Sequence, residues 1–146
     1  MTHHYAATAS WTGSTGAGYE AYDRAHVVNG VRMSADPAFR GSASLPNPEE
    51  LLLAAAVSCQ LLSFLAVAAR ARIDVVAYED SASAEMPEDW VSTMVLRPRI
   101  TVVRGADGRP SEERMRELVQ VAHRECFIAR SLRTAITLEP TFEWIS

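Results

Sequence analysis

The side chains with the widest chemical reach in this chain are its two cysteines, Cys59 and Cys126. A thiolate attacks electrophilic atoms and a protonated thiol hardly does, so a working cysteine needs hydrogen-bond donors or cations that keep it ionised. Cys59 ends the stretch NPEELLLAAAVSC, in which Glu49 stands near the start, and Cys126 has His123 one helical turn before it and Arg124 close by. Arginine suits such a site, because it stays charged when buried and its planar fork can hold an anion on one side while a carboxylate fixes the other. Arg24, Arg32 and Arg40 all precede the first cysteine. The plain alternative for either cysteine is a small buried hydrophobe. A zinc site would need four ligands at short spacing, and two distant cysteines with scattered histidines supply none, so no metal is expected.

The elements that must position these residues follow from local signals. Asn47 can cap a helix, Pro48 fits its first position, and Glu49 and Glu50 suit the positive end of its dipole, so a helix of about 24 residues is predicted to start here. It is apolar round almost its whole circumference from Leu51 to Ala69, which predicts burial on all sides, between its own sheet and a partner subunit. The run is nearly long enough to span a bilayer, but Ser58, Cys59, Gln60 and Ser63 place polar atoms in its middle, and no membrane association is expected. Before it, His4–Thr12, YEAYD and AHVV predict an antiparallel meander, and Ser34–Pro46 a loop. After it, Ile73–Met86 and Val91–Val103 alternate as two long strands of a hairpin, with Pro98 pointing to an edge or a bulge. Ser111, Glu112 and Glu113 open a second helix with Met115, Leu118, Val119 and Ala122 at helical spacing, and Thr134–Ser146 reads as a last strand. The order is that of an α+β fold, read as a single domain over residues 1–146.

The 146 residues carry a net charge of −4 without clustered cations, which argues against nucleic acid as a partner. No Gly-rich phosphate loop is present, so no nucleotide cofactor is expected. The polar opening of the chain is unlike a secretory signal, which places the protein in the cytoplasm and favours reactive thiols over a structural disulfide.

The stretch Asn47–Cys59 and the sequence AHREC ending at Cys126 resemble the two cysteine signatures of the OsmC/Ohr superfamily of hydroperoxide reductases, over nearly the whole chain. SADPAFRG, ahead of the first motif, is similar to a less studied branch. The resemblance implies antiparallel sheets around two helices, in a thiol-dependent peroxidase that turns organic hydroperoxides into alcohols in a stress response. By position it makes Cys59 the attacking thiol, oxidised to a sulfenic acid. Cys126 becomes its disulfide partner, and Glu49 the residue that orients an arginine at the thiolate. Arg40, shortly before NPEE, is that arginine, with Arg24 in reserve. An external dithiol of lipoyl type is the implied reductant. Many members have Pro directly after the second cysteine; this chain has Phe127.

Glu49 and Cys59 would be separated by about 15 Å of rise on one straight helix. If both serve one site, either the helix is interrupted or the carboxylate arrives from a second subunit, which points to an intertwined homodimer. Leu52, Leu62, Phe64 and Phe127 are candidates for an apolar pocket suited to bulky peroxides. The readings from other classes are a non-catalytic binding protein on the same scaffold and a redox sensor.

Overall fold

The computed structural model describes residues 1–146, and the backbone divides into two compact units, Met1–Leu52 and Leu53–Ser146. In the first, β1 (Ala9–Ser10), β2 (His26–Val28) and β3 (Val31–Met33) form an antiparallel meander. The strands are shorter than the sequence pattern suggests, and Tyr19–Asp23 is a turn rather than a strand, closed in part by the Trp11 indole donating to the Asp23 carbonyl at 2.8 Å. Asn29 and Gly30, with φ of 47° and 80°, make the tight turn between β2 and β3, the pairing favoured in two-residue hairpin loops.

The loop from Ser34 to Pro46 is ordered by its own hydrogen bonds. The Ser34 amide donates to the Pro46 carbonyl at 2.9 Å, and the Asp36 carboxylate accepts from the Ala38 amide at 2.7 Å, starting a single 3-10 turn at Pro37–Phe39. Gly41 is dictated by contact, since a Cβ there would lie 1.7 Å from the Ala35 carbonyl oxygen. Arg40 sits just before it, with φ of 68°.

Helix α1 (Pro48–Arg70) runs 23 residues without interruption, its first turn capped by the Asn47 side chain accepting from the Glu50 amide at 2.9 Å. The helix is long and apolar enough to cross a membrane, with a mean hydropathy of 2.2, yet one stripe of it, Ala56, Gln60, Phe64, Val67 and Ala68, is buried in the protein. Burial on all sides is not reached within the chain: Leu62 and Leu65 are exposed.

In the second unit β4 (Val75–Asp80), β5 (Ser83–Glu85), β6 (Thr93–Leu96), β7 (Pro98–Val103), α2 (Glu112–Glu125), α3 (Phe127–Ser131), β8 (Ala135–Leu138) and β9 (Thr141–Ile145) follow in order. The expected hairpin is cut in two. β4 pairs antiparallel with β7 and β5 with β6, in two three-stranded sheets that β9 and β8 complete by parallel pairing. The sheets are therefore mixed rather than wholly antiparallel. Pro98 is neither on an edge nor in a bulge; it is the first residue of β7, the central strand of its sheet, where the missing N–H interrupts the run from β6 into β7. Pro140 divides the last segment between β8 and β9.

The core joins Phe64, Val67 and Ala68 of α1 to Ile100 and Val102 of β7 and to Met115, Leu118, Val119 and Ala122 of α2. Phe64 is 0% exposed. Phe64→Ala should destabilise the fold by about 3–5 kcal/mol, read as a lowered denaturant midpoint with an unchanged slope; a loss under about 1 kcal/mol would mean that the α1–α2–β7 contact does not hold the core together.

Candidate functional site

The second unit brings Cys59 and Cys126 together. The two are free thiols close enough for each to act on the other's ionisation. Cys59 precedes Gln60, whose buried Nε2 donates to the Val119 carbonyl of α2 at 3.2 Å. One residue along a helix turns the side chain by about 100°, so while Gln60 is fixed in the α1–α2 contact, Cys59 stands at its margin, half-buried. Cys126 is 1% exposed and ends α2, its amide donating to the His123 carbonyl at 3.2 Å. It also starts α3: the Cys126 sulfur accepts from the Ala129 amide at 3.4 Å, and its carbonyl from the Arg130 amide at 3.1 Å.

That junction supplies the chemistry. The first amides of a helix have no partner inside it, and the Phe127 and Ile128 N–H groups of α3 are offered to the Cys59 sulfur. Burial alone would raise the Cys59 pKa, but the Ile128 amide, the Cys126 thiol, the Phe127 amide and the Ser63 hydroxyl together bring it below the ordinary thiol value. Cys126 is displaced the other way: burial raises it, the Ala129 amide opposes that, and the Cys59 side chain and its charge raise it further. The pair therefore sets side by side two sulfurs whose pKa values are displaced in opposite directions, Cys59 being the more easily ionised, the arrangement a nucleophile and its thiol partner require.

A cleft of about 460 Å³ opens beside Cys59, lined on α1 by Leu62, Ser63, Ala66 and Arg70, and across it by Arg124, Glu125, Phe127 and Arg130. Of the residues expected in an apolar pocket, Leu62 and Phe127 line it. Phe64 does not, because it points from the opposite side of α1 into the core, and Leu52 is not among the lining residues either. His123 contributes the carbonyl that receives the Cys126 amide.

The remaining candidates lie in the first unit. Arg40 is ion-paired with Glu20 at 2.8 Å, both exposed. Arg24 is buried, donates to the carbonyls of Tyr19 and Tyr22, and lies over both rings, 4.6 and 3.6 Å from their centroids. Glu49 occupies the first turn of α1 and pairs with no arginine of the chain. No arginine figures among the groups that set Cys59 ionisation. Sequence reasoning missed Ser63, the Phe127 and Ile128 amides, and Arg130. Ser63 and Arg130 had a signal, each four residues after a cysteine and so on the same helical face.

The ionisation order is measurable. An alkylating reagent near neutral pH should modify Cys59 ahead of Cys126, and Cys126→Ala, which removes a donor, should move Cys59 ionisation to higher pH in an ultraviolet thiolate titration. An unmoved titration curve would show that Cys126 does not support the Cys59 thiolate.

The OsmC-like protein family model matches residues 41–141. No curated protein matches the chain. Among solved structures, the chain is similar to an OsmC-like protein of unknown function from Vibrio cholerae, with 27% identity, a TM-score of 0.85, and 96% of this chain and 100% of that one covered. It is also similar to organic hydroperoxide resistance proteins from Elizabethkingia anophelis, with 20% identity, a TM-score of 0.64, and coverage of 99% and 100%, and from Legionella pneumophila, with 15% identity, a TM-score of 0.61, and coverage of 97% and 99%. At such identities the last two show a shared fold. With the family model spanning most of the chain and both cysteines inside it, the chain belongs to the OsmC-like protein family.

Proposed function

We propose that the chain is a thiol peroxidase that reduces organic hydroperoxides to alcohols. The observation that carries the reading is the pair of neighbouring free thiols, Cys59 the more easily ionised of the two, beside an open, partly apolar cleft. The names of similar structures, organic hydroperoxide resistance proteins, agree with it.

The Cys59 thiolate attacks the distal peroxide oxygen, an S–O bond forms as the O–O bond breaks, and the alkoxide leaves as alcohol after taking a proton. Cys59 is then a sulfenic acid, oxidised by two electrons. The Cys126 sulfur displaces its hydroxyl, which leaves as water, and a Cys59–Cys126 disulfide remains. An external dithiol, of lipoyl type on the family resemblance, reduces the disulfide by exchange in a cytoplasmic setting.

The acting form is a homodimer. Glu49 and Cys59 lie on one unbroken helix, about 15 Å apart in rise, so a shared site draws them from two copies, and Arg40, with Arg24 as the alternative, approaches the thiolate with Glu49 from the second copy. The exposed Leu51, Leu62 and Leu65 of α1 support this, as apolar surface a second copy would cover.

Cys59→Ser should abolish peroxide consumption with a dithiol present. Cys126→Ser should still complete one reduction and accumulate a Cys59 sulfenic acid, trapped by a carbon nucleophile and seen by mass spectrometry. Turnover that survives Cys59→Ser would exclude Cys59 as the attacking thiol, and absence of turnover from the native protein with every dithiol and organic peroxide tried would turn the reading towards a non-catalytic binding protein.

A further inference from the structure

The reaction proposed above leaves buried polar groups unused. Three buried side-chain oxygens pair with no group of the chain: Gln60 Oε1, the Tyr78 hydroxyl and Asp80 Oδ2. A buried polar atom without a partner is costly and calls for a reason. Tyr78 and Asp80 stand two residues apart on β4 and so share one face of it. Tyr78 pairs across the sheet with Ile100, which is 0% exposed, so that face is the core side. The Tyr78 ring packs on the core between α1 and α2, which includes Ala122, one turn before Cys126. Burial raises the Tyr78 pKa, and the charges of Asp80 and then of Cys126 raise it further, which puts the hydroxyl within electrostatic reach of both. Asp80 is fixed at its other oxygen, where Oδ1 accepts from the Arg97 amide at 2.8 Å. The Tyr78 hydroxyl is shielded by its own chain, so a second copy neither covers nor uncovers it.

We propose that the Tyr78 hydroxyl serves the second half of the reaction, turning its hydrogen to the Cys126 sulfur as that sulfur takes on negative charge and attacks Cys59. The step rests on the peroxidase reading for its sulfenic acid. In it the Cys126 sulfur bonds to the Cys59 sulfur, the Cys59 S–O bond breaks, and the departing hydroxyl takes the Cys126 proton and leaves as water. Tyr78 keeps its own proton. The need for it is local: Cys126 is buried and its own donors are the Ala129 and Ile128 amides, the former at 3.4 Å, so a charged sulfur there gains from a further donor. A hydroxyl committed to no acceptor in the resting chain reorients without breaking a bond, and the Asp80 charge beside it keeps the phenol neutral and therefore a donor throughout. Tyr78 does not figure among the groups that set Cys59 ionisation, so its effect falls on disulfide formation and not on the first attack.

A single equivalent of the chromogenic disulfide dithiobis(nitrobenzoate), added to the full chain, separates the two steps without peroxide. Cys59 attacks it and releases one nitrothiobenzoate; Cys126 then gives its proton to solvent, attacks the Cys59 sulfur and releases the second, leaving the Cys59–Cys126 disulfide. Tyr78→Phe keeps the ring and removes only the hydroxyl. The first release should keep its native rate while the second slows about tenfold, the loss expected for one hydrogen bond to a charged group. The denaturant midpoint should be no lower than native, because the hydroxyl has no partner in the folded chain to lose. A second release at the native rate, or two releases slowed alike, overturns the proposal. With an organic hydroperoxide the same variant should accumulate a Cys59 sulfenic acid that the native chain passes on to the disulfide. A slowed second release in Tyr78→Phe, when the native chain consumes no peroxide, would refute the peroxidase reading and uphold the role of Tyr78; peroxide turnover with an unmoved second release would do the reverse.

Discussion

The proposed reaction depends on one constraint: a half-buried sulfur must take on a negative charge with little bulk water to solvate it. Each unit of pKa corresponds to about 1.4 kcal/mol, and a hydrogen bond to a charged group is worth about 1.5–3 kcal/mol. Two or three well-placed donors can therefore outweigh partial burial. The chain finds them where backbone amides are left over, at the break between α2 and α3, and adds the Ser63 hydroxyl from one turn along α1. Phe127 takes on meaning in this setting. Proline fits the first position of a helix but has no N–H, and with Phe127 at that position the backbone keeps an amide that is directed to Cys59.

Bringing those amides to Cys59 is the task of the scaffold. The sulfur and the junction belong to elements far apart in sequence, and their contact holds only if α1 keeps its rotation and its height against α2. Rotation is set by the buried stripe from Ala56 to Ala68, where Phe64 packs with Met115, Leu118 and Val119 and meets Tyr78 of β4 at 5.8 Å between ring centroids. Height is set by polar contacts that tolerate little sliding: Gln60 to the Val119 carbonyl in the interior and Arg70 to Glu125 at the ends of the two helices. The surface pair contributes little energy, but the buried Gln60 Nε2 would lose its acceptor if the helices slid, so Gln60 is the stronger constraint.

The parts of this arrangement that were legible in the sequence are those with local causes. Asn47-Pro48 and Ser111 announced both long helices because caps act within one turn, and the apolar spacing of Met115 to Ala122 gave the buried face of α2. What escaped had non-local causes or too few residues to show a period. The division of the predicted hairpin into β4–β7 and β5–β6 depends on which strands lie beside β8 and β9, and parallel pairing leaves no turn in the sequence to betray it. Helix α3 has five residues, too short for periodicity, and its capping residue is a cysteine, outside the usual capping types. The family resemblance located both cysteines. It directed attention to arginines ahead of α1, while the groups that lower the Cys59 pKa within the chain include two backbone amides, which no residue type advertises.

The opposite displacement of the two thiols also bears on the order of the proposed reaction. Before the peroxide arrives, burial and then the hydrogen bonding and charge of the Cys59 sulfur push the Cys126 pKa up, so in the proposed reaction Cys126 competes poorly for the oxidant. Conversion of Cys59 to a sulfenic acid removes that negative charge, and with it the Coulombic part of the penalty on Cys126, while the Ala129 amide that favours the Cys126 thiolate stays where it was. Ionisation of the second sulfur thus becomes easier once there is a sulfenic acid for it to attack. Proximity alone would not order the steps; two sulfurs sharing one set of helix-end amides, with only one negative charge accommodated at a time, supply the order from electrostatics.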